Sequence, residues 1–186
     1  MEQKIYFNNI QITNAADDGN VGRIEGYAAH WFTDNMNSER VNSNSFDTFF
    51  NLMEDGKIQP IVNYNHDSNM VVGKIDALDR DNKGLIMKAH INKNVAFVRD
   101  TLWPLIVAGD MTGLSTEGYI PSAQDIEWLN DDTYFVKCFI LTAVAITPIP
   151  ADGGARFSLA NAVRNLKPTE DEARDVIAKS KWFLFN

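Results

Sequence analysis

Cysteine is all but missing from this sequence: Cys138 stands alone among 186 residues. A disulfide within the chain is therefore excluded, which fits a reducing compartment. Cys138 lies in the apolar run Tyr134 to Ile146 and reads as a small buried hydrophobe. Histidine is scarce too, with three in the chain, and no pair of Cys or His has the spacing of a zinc site. Basic residues are outnumbered, 17 Lys and Arg against 25 Asp and Glu, for a formal charge of -8. Such a surface repels nucleic acid and anionic membrane, so neither is expected as a partner. No apolar run approaches the roughly 18 residues of a membrane span. The start Met1-Glu2-Gln3-Lys4 also lacks the basic and apolar regions of a signal peptide. A chain soluble and cytosolic when made is expected. Phosphate-binding Gly-Lys-Ser and Gly-x-Gly-x-x-Gly runs are missing as well. The segment Asp79 to Gly84 opens like a calcium loop, but Lys83 takes the place of a third oxygen ligand and His90 that of the bidentate Glu. It is read as a hairpin turn, and no metal or nucleotide cofactor is expected.

What is present is a globular composition, 45% hydrophobic and 23% charged, enough for one sizeable core. Strands are expected at Ile5 to Ile12, Arg23 to Phe32, Ile58 to Tyr64, Val71 to Leu78 and Leu85 to Ile91, from their apolar alternation between polar turns. Three more follow, at Gly113 to Ile120, Asp125 to Leu129 and Tyr134 to Ile146. Two helices interrupt them. Ser45 can cap the first, where Phe46, Phe49, Phe50 and Met53 recur at helical spacing before Gly56. The second starts near Asn94, turns Val95, Val98, Leu102, Leu105 and Ile106 inward, and stops at Gly109, with a kink expected at Pro104. Many strands with a few interleaved helices predict an α+β fold, a mostly antiparallel β-barrel decorated with short helices. The chain changes character after the turn Pro148 to Gly154. A barrel domain over 1–157 is expected, then a C-terminal helical tail over 158–186. In that tail Thr169 and Glu172 have capping-box spacing, and the end Trp182 to Asn186 packs on the body or on a partner.

Chemistry narrows to few residues. His66, in Asn63-Tyr64-Asn65-His66-Asp67, lies where an apolar strand meets a polar turn, from which a side chain reaches a surface cleft. Its plain alternative is a turn histidine bonded to Asp67. His30 and His90 sit inside strands and read as satisfied or exposed sheet residues. Ser115 follows Thr112-Gly113-Leu114, in a turn that feeds a strand. A serine hydroxyl is a poor nucleophile near neutral pH and needs a neutral imidazole to take its proton, which His66 can supply only through folding. Glycines 113 and 118 would let a substrate backbone come close, although glycines also serve plain turns.

Taken in order, these pieces resemble the phage prohead protease family, whose members are similar in fold and serine chemistry to the herpesvirus assemblin proteases. Gly26-Tyr27-Ala28-Ala29 resembles the family's opening strand and Ser45-Phe46 its helix start. Asn65-His66-Asp67 with Val72-Gly73-Lys74, and then Gly84-Leu85, resemble its central strands. Thr112-Gly113-Leu114-Ser115 resembles the element that ends on the nucleophile, and Pro150-Ala151-Asp152 closes the series. The resemblance implies an assemblin-like fold, His66 as general base and Ser115 as nucleophile. It further implies cleavage of scaffold protein or of the scaffolding segment of the major capsid protein, with self-cleavage. That would take place inside the assembling prohead in the host cytoplasm, and homo-oligomers occur among relatives. The family's usual acid, in a Glu-Val-Ser strand, is replaced here by Ala143-Val144-Ala145. Three outcomes stay open: a slow dyad, an acid from elsewhere such as Glu117 or Asp67, or an impaired protease-like module that binds capsid or scaffold protein. Glu117 is two residues from Ser115 and so on the same strand face. By analogy with the assemblin-like enzymes, oxyanion or substrate contacts fall on Gly153, Gly154 and Arg156.

Overall fold

The computed structural model describes residues 19–159, within which strands dominate. The first part of the body runs β1 (Val21–His30), β2 (Glu39–Arg40), α1 (Asp47–Glu54), β3 (Ile61–Tyr64), β4 (Asp67–Arg80) and β5 (Gly84–Asn92). It continues with α2 (Trp103–Ala108), β6 (Gly113–Tyr119), β7 (Ile126–Trp128), β8 (Tyr134–Val136), β9 (Ile140–Thr147) and β10 (Phe157–Leu159). A seven-stranded sheet takes the order β10-β1-β5-β4-β3-β9-β6, and a three-stranded one the order β2-β8-β7. All neighbours in the large sheet are antiparallel except β3 and β9. The expected strand at Ile5 to Ile12, the helix near Thr169 and the aromatic C-terminus lie outside the described residues.

Alternation explains the sheet. In β5, Leu85, Met87, Ala89 and Ile91 are buried while Lys88 and Asn92 are exposed, the period-two pattern of a strand with one face on a core. Bulges reset that phase where it would fail. Ala28 is the extra residue in β1 and Asp76 the extra one in β4, so Ala28 and Ala29, and then Ile75 and Leu78, all remain inside. The large sheet curls until its ends meet. Leu114 N–H donates to the Ala155 carbonyl and Phe157 N–H to the Thr112 carbonyl, both at 2.9 Å, which joins β6 to the segment entering β10. Glycines stand on both sides of this seam where the neighbouring strands crowd in: a Cβ on Gly113 would collide with the Thr147 carbonyl of β9, and one on Gly26 with the Arg156 carbonyl.

The helices depart from expectation in instructive ways. Asn42, not Ser45, caps the first. Its Oδ1 accepts from Ser45 N–H at 3.1 Å, Ser45 Oγ accepts from Asn42 N–H at 3.0 Å, and a short 3-10 turn over Ser43–Phe46 leads into α1. Ser45 is buried and donates to the Val136 carbonyl at 2.6 Å, so it also ties the helix to the small sheet. The second helical stretch contains a π turn at Val98–Leu102, where Trp103 N–H bonds five residues back to Val98. This turn stands just before Pro104, whose ring cannot donate, and is the form the expected kink takes. Val98, Leu102 and Ile106 are buried as expected, but Val95 lies before the first turn and is exposed. The run Tyr134 to Ile146 is two strands rather than one. Lys137 N–H bonds to Asp125 and Phe139 N–H to Ser45, turning the chain from the small sheet into the large one as Phe139 packs on Phe46. Cys138, at this turn, is half-buried against the core.

Candidate active site

Three strands bring the candidate residues onto one face. β3 lies beside β9, and β9 beside β6, in a register that aligns Asn63, Ala145 and Ser115 in one row and Ile61, Ala143 and Glu117 in the next. Residues directly opposite share a face, so Ser115, Glu117 and Asn63 all point the same way. β9 contributes only the methyl groups of Ala143 and Ala145 between them.

His66 reaches this face from a turn. Tyr64 pairs with Asp67, leaving Asn65-His66 as a two-residue hairpin loop, and both have positive φ, 52° and 62°. That is the backbone of a type I′ turn, which asparagine accepts readily and histidine more often than most residues. The tip is tethered to β9: Asn65 N–H donates to the Ile146 carbonyl at 3.0 Å, and Thr147 Oγ1 to Asn65 Oδ1 at 3.2 Å. His66 Nδ1 then lies 3.1 Å from Glu117 Oε2. Asp67 is not its partner; that carboxylate accepts from Asn69 within its own turn. An ionised carboxylate can only accept, so the contact assigns the proton to Nδ1 and leaves Nε2 as the basic nitrogen. Glu117 is the direct partner of Ala143 across the ladder, so its carboxylate enters the same row from the neighbouring strand.

Ser115 is 3% exposed. Its Oγ accepts a long 3.5 Å contact from Ala151 N–H, and among the described residues no hydrogen bond joins it to His66. A small cavity of about 30 Å³ beside it is lined in part by His30, Glu39, Thr116 and Asp152. His30 is satisfied there, with both its N–H and Nδ1 at 2.8 Å from Asp152 Oδ2, and His90 is likewise paired with Asp76. Glu39 accepts from the Tyr134 hydroxyl, whose pKa is pushed up to about 12 by burial and then by that hydrogen bond. In the loop after β9, Gly154 N–H bonds to Asp152 and Arg156 Nη1 to Thr112 Oγ1, while Gly153 is exposed. The loop amide that touches Ser115 belongs to Ala151, a residue that sequence motifs marked only as part of Pro-Ala-Asp.

Comparison with known proteins decides the family. The model of the caudovirus prohead serine proteases matches residues 9–171. The chain belongs to that family. Membership places it among serine proteases of capsid maturation, acting with components of the prohead. No curated protein matches it in sequence. Among solved structures, the bacteriophage T4 capsid assembly protease is similar with TM-score 0.55 and 17% identity, covering 68% of this chain and 81% of that one. Varicella-zoster virus protease is similar with TM-score 0.50 and 11% identity. KSHV protease, solved with a hexapeptide phosphonate inhibitor, has TM-score 0.51 and 10% identity. Both comparisons cover 87% of this chain and 76% of the other. At these identities the likeness is one of fold, and it agrees with the curled, mostly antiparallel barrel. No helix among the described residues is long and apolar enough to cross a membrane.

Proposed function

We propose that this prohead protease is an endopeptidase in which Ser115 attacks the scissile carbonyl, His66 takes the hydroxyl proton on Nε2, and Glu117 holds the imidazole and stabilises its charged form. The proton then passes to the leaving amine, and water returns Ser115 from the acyl-enzyme. The observation that carries this reading is the His66–Glu117 contact on the sheet face that also bears Ser115. Hydrogen bonds of a catalytic pair commonly tighten only when substrate is bound, and the His66–Ser115 contact is assigned to that step. The loop from Ala151 through Gly153 and Gly154 to Arg156 supplies oxyanion and substrate contacts. The substrates are scaffold protein or the scaffolding segment of the major capsid protein, and the chain itself, inside the assembling prohead in the host cytoplasm.

Co-expression with the cognate capsid protein, read by intact mass, tests this. Wild type should give site-limited fragments and Ser115→Ala none, and a fluorophosphonate probe should label Ser115 in wild type and far more slowly in His66→Ala. Fragments that persist with Ser115→Ala would overturn the nucleophile. A second reading, a protease-like module that binds capsid or scaffold protein without turnover, is favoured by the missing Ser115–His66 bond. Under that reading wild type yields no fragments and no labelled serine yet co-purifies with capsid protein.

A further inference from the structure

We infer that Asn63 is a positioning residue of this site, its side-chain amide holding the Glu117 carboxylate where it engages His66. The inference rests on the roles proposed above for Ser115, His66 and Glu117. Asn63 is 0% exposed, in the middle of a strand flanked by β4 and β9. Its Nδ2 donates to Glu117 Oε2 at 3.1 Å, the same oxygen that His66 Nδ1 contacts at 3.1 Å. Because a carboxylate only accepts, the amide face turned to Glu117 has to be the NH2 group, which settles the side chain's orientation. The other end of the amide has no compensation: Asn63 Oδ1 is buried and has no hydrogen-bond partner among the described residues. A buried acceptor left unpaired is destabilising, and an apolar side chain of similar shape would avoid it. Position 63 thus carries a stability cost for a single bond, and that bond ends on the carboxylate that meets His66.

The geometry shows why Glu117 needs such a hold. It is a flexible side chain, 31% exposed, entering from β6 and crossing over the alanines of β9 to a histidine at the far end of β3. Solvent would otherwise draw it into other rotamers, and ordering it loses conformational entropy. Asn63 stands in the row of Ser115, with only Ala145 between them, so it receives the carboxylate on the His66 side of the nucleophile.

The test uses the full chain and Asn63→Leu, with Asn63→Ala measured beside it in case the leucine prevents folding. Cleavage of the capsid segment should lose about tenfold or more in kcat with KM unchanged, while the melting temperature stays level or rises. In a Glu117→Gln background the same substitution should change kcat by less than about twofold, because residues acting on one another are not additive. A purely structural asparagine would instead lower the melting temperature and act independently of Glu117. A kcat within about twofold of wild type, or a full additional loss in the Glu117→Gln background, overturns the inference. The His66 tautomer, followed by proton–nitrogen correlation of the imidazole, decides the matter even if Ser115→Ala shows no loss of cleavage. Wild type should hold the proton on Nδ1 and Asn63→Leu should show a mixture; an unchanged tautomer sinks the positioning role by itself.

Discussion

Replacing Glu117 with glutamine removes the carboxylate charge while keeping the side chain's length. The charge it would leave unopposed is the imidazolium that forms on His66 as Ser115 is deprotonated. The contact is 3.1 Å between side chains that are 42% and 31% exposed. Unit charges about 4 Å apart attract by about 1 kcal/mol in bulk water and about 4 kcal/mol at the effective dielectric near a protein surface. Half-open groups are screened in part by solvent, so the middle of that range applies, about 1.5–3 kcal/mol. At about 1.4 kcal/mol per factor of ten, Glu117→Gln should slow kcat by about 10–100-fold. That is milder than the loss expected for a triad with a fully buried acid. The assay is single-turnover cleavage of the capsid segment, with His66→Ala as the reference for complete loss. The pairing of Glu117 with Ala143 adds a sharper arm. Glu117→Ala combined with Ala143→Glu moves the carboxylate one strand toward β3 within the same row, and activity should return above that of Glu117→Ala alone. A Glu117→Gln enzyme within about twofold of wild type would refute the reasoning, because the contact would then do nothing for the charged imidazole.

Other consequences concern stability and pH. Ser45→Ala deletes the half of the reciprocal cap in which Asn42 N–H donates to Ser45 Oγ, and the buried bond to Val136, while Ser45 N–H keeps its bond to Asn42. It should cost about 1–3 kcal/mol, read from the urea midpoint. Gly113→Ala should cost about 1–3 kcal/mol by forcing β6 away from the Thr147 carbonyl, and fluorophosphonate labelling of the adjacent Ser115 should slow with it. Tyr134 is held neutral by burial and by Glu39, its pKa raised to about 12 from the ordinary 10.0. The stability it contributes is therefore complete below pH about 10 and is lost as pH rises through about 12. An ultraviolet phenolate titration should show a step near pH 12 that Tyr134→Phe removes.

Local patterns carried much of the barrel. The alternation in β5 and the polar turn Asp79 to Gly84 need no distant partner to be recognised, and the hairpin that exposes His66 is announced by Asn65-His66 between an apolar strand and a polar one. The ordered series from Gly26 to Asp152 identified the family for the same reason: each piece is a short stretch whose residue types are set by its own backbone. Where the chain changes direction for the sake of a remote contact, sequence period was no guide. The break between Val136 and Ile140 depends on bonds to Asp125 and Ser45, and the cap on Asn42 depends on where Ser45 finds a buried acceptor.

The site divides along the same line. Sequence by itself put forward Ser115 and His66 as nucleophile and base candidates, a glycine two residues before the serine, and an alanine where the resemblance implies an acid, because these are readings of residue type within short motifs. Only the tertiary structure decided that Glu117 stands opposite Ala143, that it rather than Asp67 meets His66, and that Asn63 lies beneath both as a buried donor. Strand register sets which side chains share a face, and here it brings Glu117 to Asn63 and His66, residues more than fifty positions away in the chain, through the strand β9 that lies between them. An asparagine inside an apolar strand gives no sign of its partner until β3, β9 and β6 are laid side by side.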